Sequence, residues 1–466
     1  MKTRILFPCL MLAGCLLPSA CSHVASEQKV ADQKQAALSE EKNLAADQFQ
    51  SSANTGTDRM DQWIDAFADP QLELLVQEAQ ANNRDLQRTA AGVDRARALA
   101  AKAGAPLLPS LNLSTSGSRG GPVESSASDR FQLGAQVSWE VDLWGKLGAG
   151  KRGAADSAAA YEAELKAARA ALAATTAKAY FLMIESKGQL GLVEENLQTL
   201  REITRIVEAQ YANGLTSSQD AALARSDLAA TEALRLEIEN ASVDAIRALE
   251  MTLGRYPSAE LASNAALPPL PAAPPTGLPS ELLERRPDLI AAERRVAAAF
   301  EASAQARAAR LPSLRLTSDL GGSSGELSSL LNPGNLAWQA AASLLAPVFD
   351  GGARKADVDV ATAAQKESLA AYGALALKAF GEVETFLDQG SYLMGRAQAT
   401  DTALKEAEQA LHVARLRHEA GEIGLMDVLG IQQRTASLKS QKLALQRLAL
   451  VQRVQLYLAL GGDWGA

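Results

Sequence analysis

Residues 131–143 read Phe-Gln-Leu-Gly-Ala-Gln-Val-Ser-Trp-Glu-Val-Asp-Leu, with apolar side chains on every second position and no break in the alternation. Period two is the pattern of a β-strand with one apolar and one polar face. The stretch meets the ~9–11 residues that a tilted strand needs to cross a bilayer. Trp139 and Trp144 stand near its end, where an interfacial aromatic belt would need them. Alternation alone does not separate a lipid-facing strand from one half-buried in a soluble sandwich.

Three further ribbons resemble the first. One begins at Ser110 and puts Leu111, Leu113 and Thr115 on one face. Another sets Leu314, Leu316 and Leu320 against Arg315, Thr317 and Asp319. The last carries Leu336, Trp338, Ala340, Ala342, Leu344 and Ala346, with Trp338 a third interface aromatic. Four strands in two hairpins, about 110–143 and 313–348, are therefore expected. No stretch approaches the ~18 consecutive apolar residues of a membrane-spanning helix, so any crossing falls to the strands. A four-stranded sheet in lipid would leave unpaired backbone at both edges, which only closure into a barrel removes. One chain is too few, and several must pool their strands around a lumen lined by the polar face.

The two hairpins belong to a chain written twice. Asp85-Leu86 corresponds to Asp288-Leu289 and Leu108-Pro109-Ser110-Leu111 to Leu311-Pro312-Ser313-Leu314, both at a separation of 203. Beyond them Gly145 and Gly352, Gly214 and Gly421, Asp220 and Asp427, and Leu253-Gly254 and Leu460-Gly461 are all separated by 207. One four-residue length change between 111 and 145, in a Ser/Gly-rich stretch that reads as a hairpin loop, accounts for both values. Repeat 1 spans 59–256 and repeat 2 spans 280–466; residues 257–279 join them, where Pro268-Pro269, Pro271 and Pro274-Pro275 forbid regular helix or central strand.

Proline is absent from Val123 to Tyr256 and from Val348 to the end, and both intervals are rich in strong helix formers. From about Lys146 to Tyr211 there is no stop signal, which predicts a rod of roughly 100 Å. Ala212-Asn213-Gly214-Leu215-Thr216-Ser217 then supplies an Asn/Gly stop and a Ser/Thr cap, and Glu419-Ala420-Gly421-Glu422-Ile423-Gly424 does the same in repeat 2. Each repeat thus folds into a long helical hairpin, with tips at about 211–220 and 418–427. Alanine pairs such as Ala170-Ala171 and Ala173-Ala174 suit close, coiled-coil-like packing. On helices alone, a solvated coiled-coil spacer fits equally well.

All three cysteines fall within the first 21 residues. Lys2 and Arg4, the apolar run Ile5 to Leu12, and Leu12-Ala13-Gly14-Cys15 form an export signal over 1–14, with a lipobox-like end. Cys15 is the expected lipidation site, and Cys21 is the weaker acceptor because Pro18 stands where an aliphatic residue belongs. Multiple acyl chains anchor stably where one does not. Residues 15–58 then form the lipid anchor and a polar, loosely structured tether.

Charge and motifs exclude other classes. The formal net charge is −8 with interleaved signs, which offers no footprint for nucleic acid. The three histidines are His23, His412 and His418; the last two lie six apart on a helix and do not face together as a metal pair. No enzyme activity and no cofactor beyond covalent lipid is expected.

Together, Trp63, Phe67 and Asp69-Pro70, Asn83 to Leu86, Leu283-Glu284-Arg285-Arg286-Pro287-Asp288-Leu289, Phe349-Asp350-Gly351-Gly352 and the ending Leu460-Gly461-Gly462-Asp463-Trp464 resemble outer-membrane lipoproteins of RND-type efflux systems, the OprM-like (NodT) branch of the TolC superfamily. The resemblance implies a mainly α protein with a small β part. Its helical hairpins would form a periplasmic α-barrel, and its strands would join a homotrimeric twelve-stranded barrel in the outer membrane. It also implies a passive exit duct for small toxic compounds, working with a periplasmic membrane-fusion adaptor and an inner-membrane RND transporter. A type I secretion channel and a periplasmic structural lipoprotein are the alternatives. Carried over residue by residue, the tip motif matches Tyr211, Gly214 and Asp220 in repeat 1 and Arg417, Gly421 and Asp427 in repeat 2. The resemblance implies adaptor contacts at these tips, at Tyr211, Asn213, Gly214, Gly421 and Gly424, and an acidic aperture of Asp220 and Asp427 with the neighbouring Glu419 and Glu422, with ordinary helix caps as the plain alternative. Gln210 and His418 depart from the family pattern, which has arginine and an aromatic at those places.

Overall fold

A computed structural model of the chain describes residues 17–42, 46, 48–51, 63–123, 127–262, 266–277 and 279–462. The signal segment, Cys15, most of 43–62 and the final Asp463-Trp464 lie outside the described residues, and for Cys21 only the backbone is described.

Element order is α1 (Leu17–Lys42), α2 (Pro70–Asn82), α3 (Arg84–Gly104), β1 (Ser110–Gly120), β2 (Ser128–Val141), α4 (Lys146–Ala212) and α5 (Ser218–Thr252). The second copy gives α6 (Pro279–Arg285), α7 (Pro287–Ala308), β3 (Ser313–Ser324), β4 (Leu336–Leu345), α8 (Ala353–Glu419) and α9 (Leu425–Ala459). Helices α4 and α8 are each 67 residues, α5 and α9 each 35, and both pairs begin and end 207 positions apart. The four-residue length change falls in the strand connections, which are 121–127 in the first copy and 325–335 in the second.

The same chemistry sets the boundaries in both copies. Gly145, Gly214 and Gly254 have φ of 75°, 72° and 78°, and their counterparts Gly352, Gly421 and Gly461 have 90°, 76° and 76°, a left-handed region costly for any residue with a Cβ. The strands end slightly earlier than the alternation suggested, at Val141 and Leu345. Asp142 leaves the strand to cap α4, accepting from the Leu147 amide at 3.0 Å and the Gly148 amide at 2.7 Å, while Pro347 has no amide hydrogen to offer a ladder. Asp350 caps α8 by accepting from the Gly352 and Arg354 amides at 3.0 and 3.1 Å.

The polar segment expected to be loosely structured contains a helix instead. Ala, Gln, Glu and Lys favour helix. In α1 Val30, Ala37 and Leu38 also form a sparse apolar stripe that packs with Val296, Phe300 and Tyr372, leaving Leu38 only 2% exposed. The partners lie more than 250 residues away, so composition alone could not announce them.

The chain divides into two compact units, and neither is a repeat. One comprises residues up to 44, 91–164 and 288–375, with all four strands; the other comprises 45–90, 165–287 and 376–466. Each draws on both copies. The second unit has the larger core, where Trp63 stacks on Tyr457 at 5.3 Å and Phe67 packs against Phe181 at 5.4 Å, ringed by Leu72, Leu249 and Val454. Ala170, Ala173, Ala174 and Ala177 are buried in this unit while Ala171 is exposed, so one edge of the alanine seam makes the close contact.

Candidate functional site

In the strand-bearing unit the sheet is an antiparallel meander in the order β1-β2-β3-β4. Its register tests the face assignments made strand by strand. Leu113 pairs with Ala135, Ala135 with Leu320, and Leu320 with Trp338; one step along, Leu111, Val137, Ser318 and Ala340 align, and beyond them Trp139, Leu316 and Ala342. Paired residues point to the same side, so all four apolar rows merge into one face. The opposite face collects Asn112, Gln136, Asp319 and Gln339, and next to them Ser114, Gly134 and Gly321. A slip of one residue at any strand would have scrambled both faces.

Two properties of this sheet are unusual for a free-standing domain. Every residue of β1 and of β4 is exposed. These are also the two edges, each with one ladder unpaired, and Trp338 on β4 is 78% exposed. The tryptophans at the other end are engaged through their polar atoms: Trp139 Nε1 donates to the Leu107 carbonyl at 3.0 Å and Trp144 Nε1 to the Pro312 carbonyl at 2.7 Å. Among the described residues no helix is long and apolar enough to cross a membrane.

The tips belong to the second unit. Helix α4 ends in a double turn, the Leu215 amide donating to the Gln210 carbonyl at 2.9 Å and the Gly214 amide to that of Tyr211 at 3.0 Å; α8 ends identically through Glu422 to Arg417 and Gly421 to His418, both at 2.9 Å. The following helices open on a capping arrangement. Ser217 Oγ accepts from the Asp220 amide at 3.1 Å, and the Asp220 carboxylate accepts from the Ser217 and Thr216 hydroxyls at 2.8 and 2.9 Å. Those hydroxyls, Ser217 first, hold the Asp220 carboxyl below its ordinary range. Asp427 repeats the role without a hydroxyl partner, accepting from the Gly424 amide at 3.1 Å.

Of the other tip residues, Glu422 pairs with Arg417 at 2.9 Å and the His418 ring nitrogen meets the Ile423 carbonyl at 3.0 Å. Asn213 Nδ2 donates back to Ala209, while Leu215 and Tyr211 are exposed. The two hairpins lie side by side: Leu425, Met426 and Leu429 pack with Leu200, Val207 and Ala221, and Gln433 donates to Asp227 at 3.0 Å.

Several important residues were not singled out as sites by sequence. Asp69 and Asn83, noted only as family marks, cap α2 and α3 by accepting from the Leu72 and Leu86 amides at 3.2 and 3.0 Å. Arg286, within the Arg-Arg-Pro-Asp-Leu run, is buried and meets Glu382 at 2.7 Å and the Ala459 carbonyl at 3.3 Å. Glu250, 2% exposed, accepts from the amides of Ala259, Glu260 and Leu261 at 2.7–3.0 Å and so pins the start of the proline-rich connection. Nothing in the local sequence marks Glu250, since its partners are loop amides.

Residues 75–255 and again 278–462 match the family model for outer membrane efflux proteins. The chain belongs to this family. The two matches of the outer membrane efflux model start 203 positions apart and end 207 apart, repeating the offsets read from the sequence. The pyoverdine export outer membrane protein OpmQ of Pseudomonas aeruginosa is 32% identical over 470 residues, covering 97% of this chain and 96% of OpmQ. The probable outer membrane lipoprotein SilC of Salmonella typhimurium is 30% identical over 407 residues, covering 86% and 88%. Among solved structures, the open state of the Neisseria gonorrhoeae MtrE outer membrane channel aligns with a TM-score of 0.82 at 29% identity, over 90% of this chain and 95% of that one. The protein is accordingly an outer-membrane efflux channel of TolC-like fold, and its family is one of channels.

Proposed function

We propose that the protein is the exit duct of a tripartite RND-type pump, conducting small toxic compounds passively across the outer membrane. The observation that carries this reading is the sheet: one continuous apolar face, one polar face and two bare edges. Such a surface in lipid is stable only when closed. Three chains, as the TolC resemblance implies, would supply twelve strands, and Asn112, Gln136 and Gln339 would face the lumen. The homotrimer's tips, through Tyr211, Asn213, Gly214, Gly421 and Gly424, would meet a periplasmic adaptor that couples to the energised transporter. Lipid on Cys15 would hold the assembly at the membrane, a reading supported by the lipoprotein name of SilC.

The aperture acids are not equivalent. Asp220 and Asp427 are spent on helix caps and Glu422 on Arg417, whereas Glu419 is exposed with no partner among the described residues. A gate built from tip acids would therefore act chiefly through Glu419, and Glu419→Gln tests it without uncapping a helix. The whole reading is tested by reconstituting the detergent-extracted protein in planar bilayers and by assaying a deletion strain for toxin sensitivity. A detergent-free, water-soluble monomer without conductance would reject it.

A further inference from the structure

Beside the helix-side end of the sheet, the strand-bearing unit contains a cavity of about 270 Å³. Helix α1 forms one wall with Lys29, α7 contributes Phe300, Ser303 and Arg307, and the start of the first rod adds Trp144 and Arg152. The charge of this lining is one-sided: three cations and no acidic side chain. Arg152 is held by Glu301 at 3.0 Å, but Lys29 and Arg307 have no ion-pair partner among the described residues.

A second observation points to a guest. Ser303 is 2% exposed, lines the cavity, and its Oγ has no hydrogen-bond partner among the described residues. A buried hydroxyl costs free energy until something bonds it. Opposite chemistry completes the lining, because Phe300 is buried and Trp144, its indole N–H already given to Pro312, has ring faces free for apolar contact. The occupant must then be an anion with an apolar portion. The volume is near the lower end of small-molecule sites, ~300 Å³, which admits a headgroup and not two acyl chains.

We propose that this cavity binds the phosphodiester headgroup of an anionic phospholipid from the periplasmic leaflet. The assignment to a lipid rests on the reading that the strands lie in the bilayer, since Trp144 stands three residues past the end of β2, where headgroups would be. Phosphate oxygens suit Lys29 and Arg307 as charge-assisted acceptors, and Ser303 Oγ can donate to a third. The lipid would bridge α1 to α7 and fasten the lipoprotein's N-terminal helix to the body.

The test uses full-length protein in nanodiscs of phosphatidylcholine with graded phosphatidylglycerol, counting retained lipid by native mass spectrometry. The unmodified protein should retain a single phosphatidylglycerol per chain. A Lys29→Gln/Arg307→Gln double variant, altered at two exposed positions, should bind about tenfold more weakly through loss of two charge-assisted contacts. Ser303→Leu, which fills the cavity, should also lose retention, and Arg95→Gln on the exposed face of α3 should not. Equal retention by the double variant would overturn the proposal. So would equally tight binding of glycerol phosphate, which would make the site one for soluble phosphates. Conductance recorded in parallel separates the two readings: a conducting channel without site lipid rejects the cavity assignment alone, and a protein that never conducts rejects the duct.

Discussion

Ala340 and Ala341 are neighbours in the middle of β4, identical in composition and both exposed in the isolated chain, yet the register puts Ala340 on the apolar face opposite Ser318 and Ala341 on the polar face opposite Thr317. Arginine at each position separates a lipid-facing wall from a soluble one. Ala340 is the fifth residue of the ten in β4. At ~3.4 Å per residue and a tilt of ~45°, that places it about 12 Å in depth from the strand end, close to the centre of a ~30 Å hydrocarbon layer. Arginine at such depth on a barrel costs about 2–4 kcal/mol, and partial snorkelling argues for the lower half, about 2–3 kcal/mol per chain. That corresponds to a loss of roughly 30- to 150-fold in the folding equilibrium. Ala341→Arg, on the polar face that the proposed barrel would turn to water, should stay within about 0.5 kcal/mol. Guanidinium titration of both variants folded into lipid vesicles, followed by tryptophan fluorescence, measures the difference. Equal destabilisation, or a larger effect at Ala341, would refute the assignment of faces.

Gly214→Ala and Gly254→Ala both force a Cβ into the left-handed region, but open space surrounds the first while the second would set its Cβ 2.7 Å from the Asn82 carbonyl oxygen. The expected costs are about 1 kcal/mol at Gly214 and about 3 kcal/mol at Gly254, read by thermal or denaturant unfolding. Arg286→Ala removes a buried guanidinium from Glu382 and the Ala459 carbonyl and should cost about 1–2 kcal/mol, less than a fully buried pair because Glu382 is part-exposed and keeps Lys378 at 3.8 Å; Glu382→Gln with Arg286→Met should recover much of that loss. The Asp220 carboxyl is lowered by its hydroxyl partners, so its contribution is present above the ordinary carboxylate range and lost as pH falls through the lowered value. Protection factors of the amides at residues 218–221, corrected for intrinsic exchange, should therefore fall below about pH 4, and Asp220→Asn should remove that dependence; a flat profile in the unmodified protein would contradict the cap. Cys15→Ser should abolish incorporation of labelled palmitate, and unchanged labelling would place the acyl group elsewhere.

The strand faces were legible because parity is preserved by any correct register: once Leu113, Ala135, Leu320 and Trp338 were each assigned a side, pairing could only confirm or scramble them. The rods were legible because each stop is local, resting on Gly214 and Gly421 within one turn of the helix end. What escaped depends on partners distant in the chain. Helix α1 is stabilised by Phe300 and Tyr372, Arg286 by Glu382, and a polar composition carries no trace of either contact. At the tip, Asp220 and Asp427 fitted two roles from sequence, helix cap and aperture, with the cap the commoner meaning of an acid at a helix start, and the hydrogen bonds to Ser217 and Gly424 show how their carboxylates are used within the chain.

Because each compact unit takes segments from both copies, the duplication cannot be undone by cutting at the prolines. A ribosome that stopped near Pro268 would have completed half of two bodies and the whole of neither. Within that shared scaffold the copies are free to differ locally: Ser217 and Gly424 open corresponding helices 207 positions apart, one with a hydroxyl and one with none.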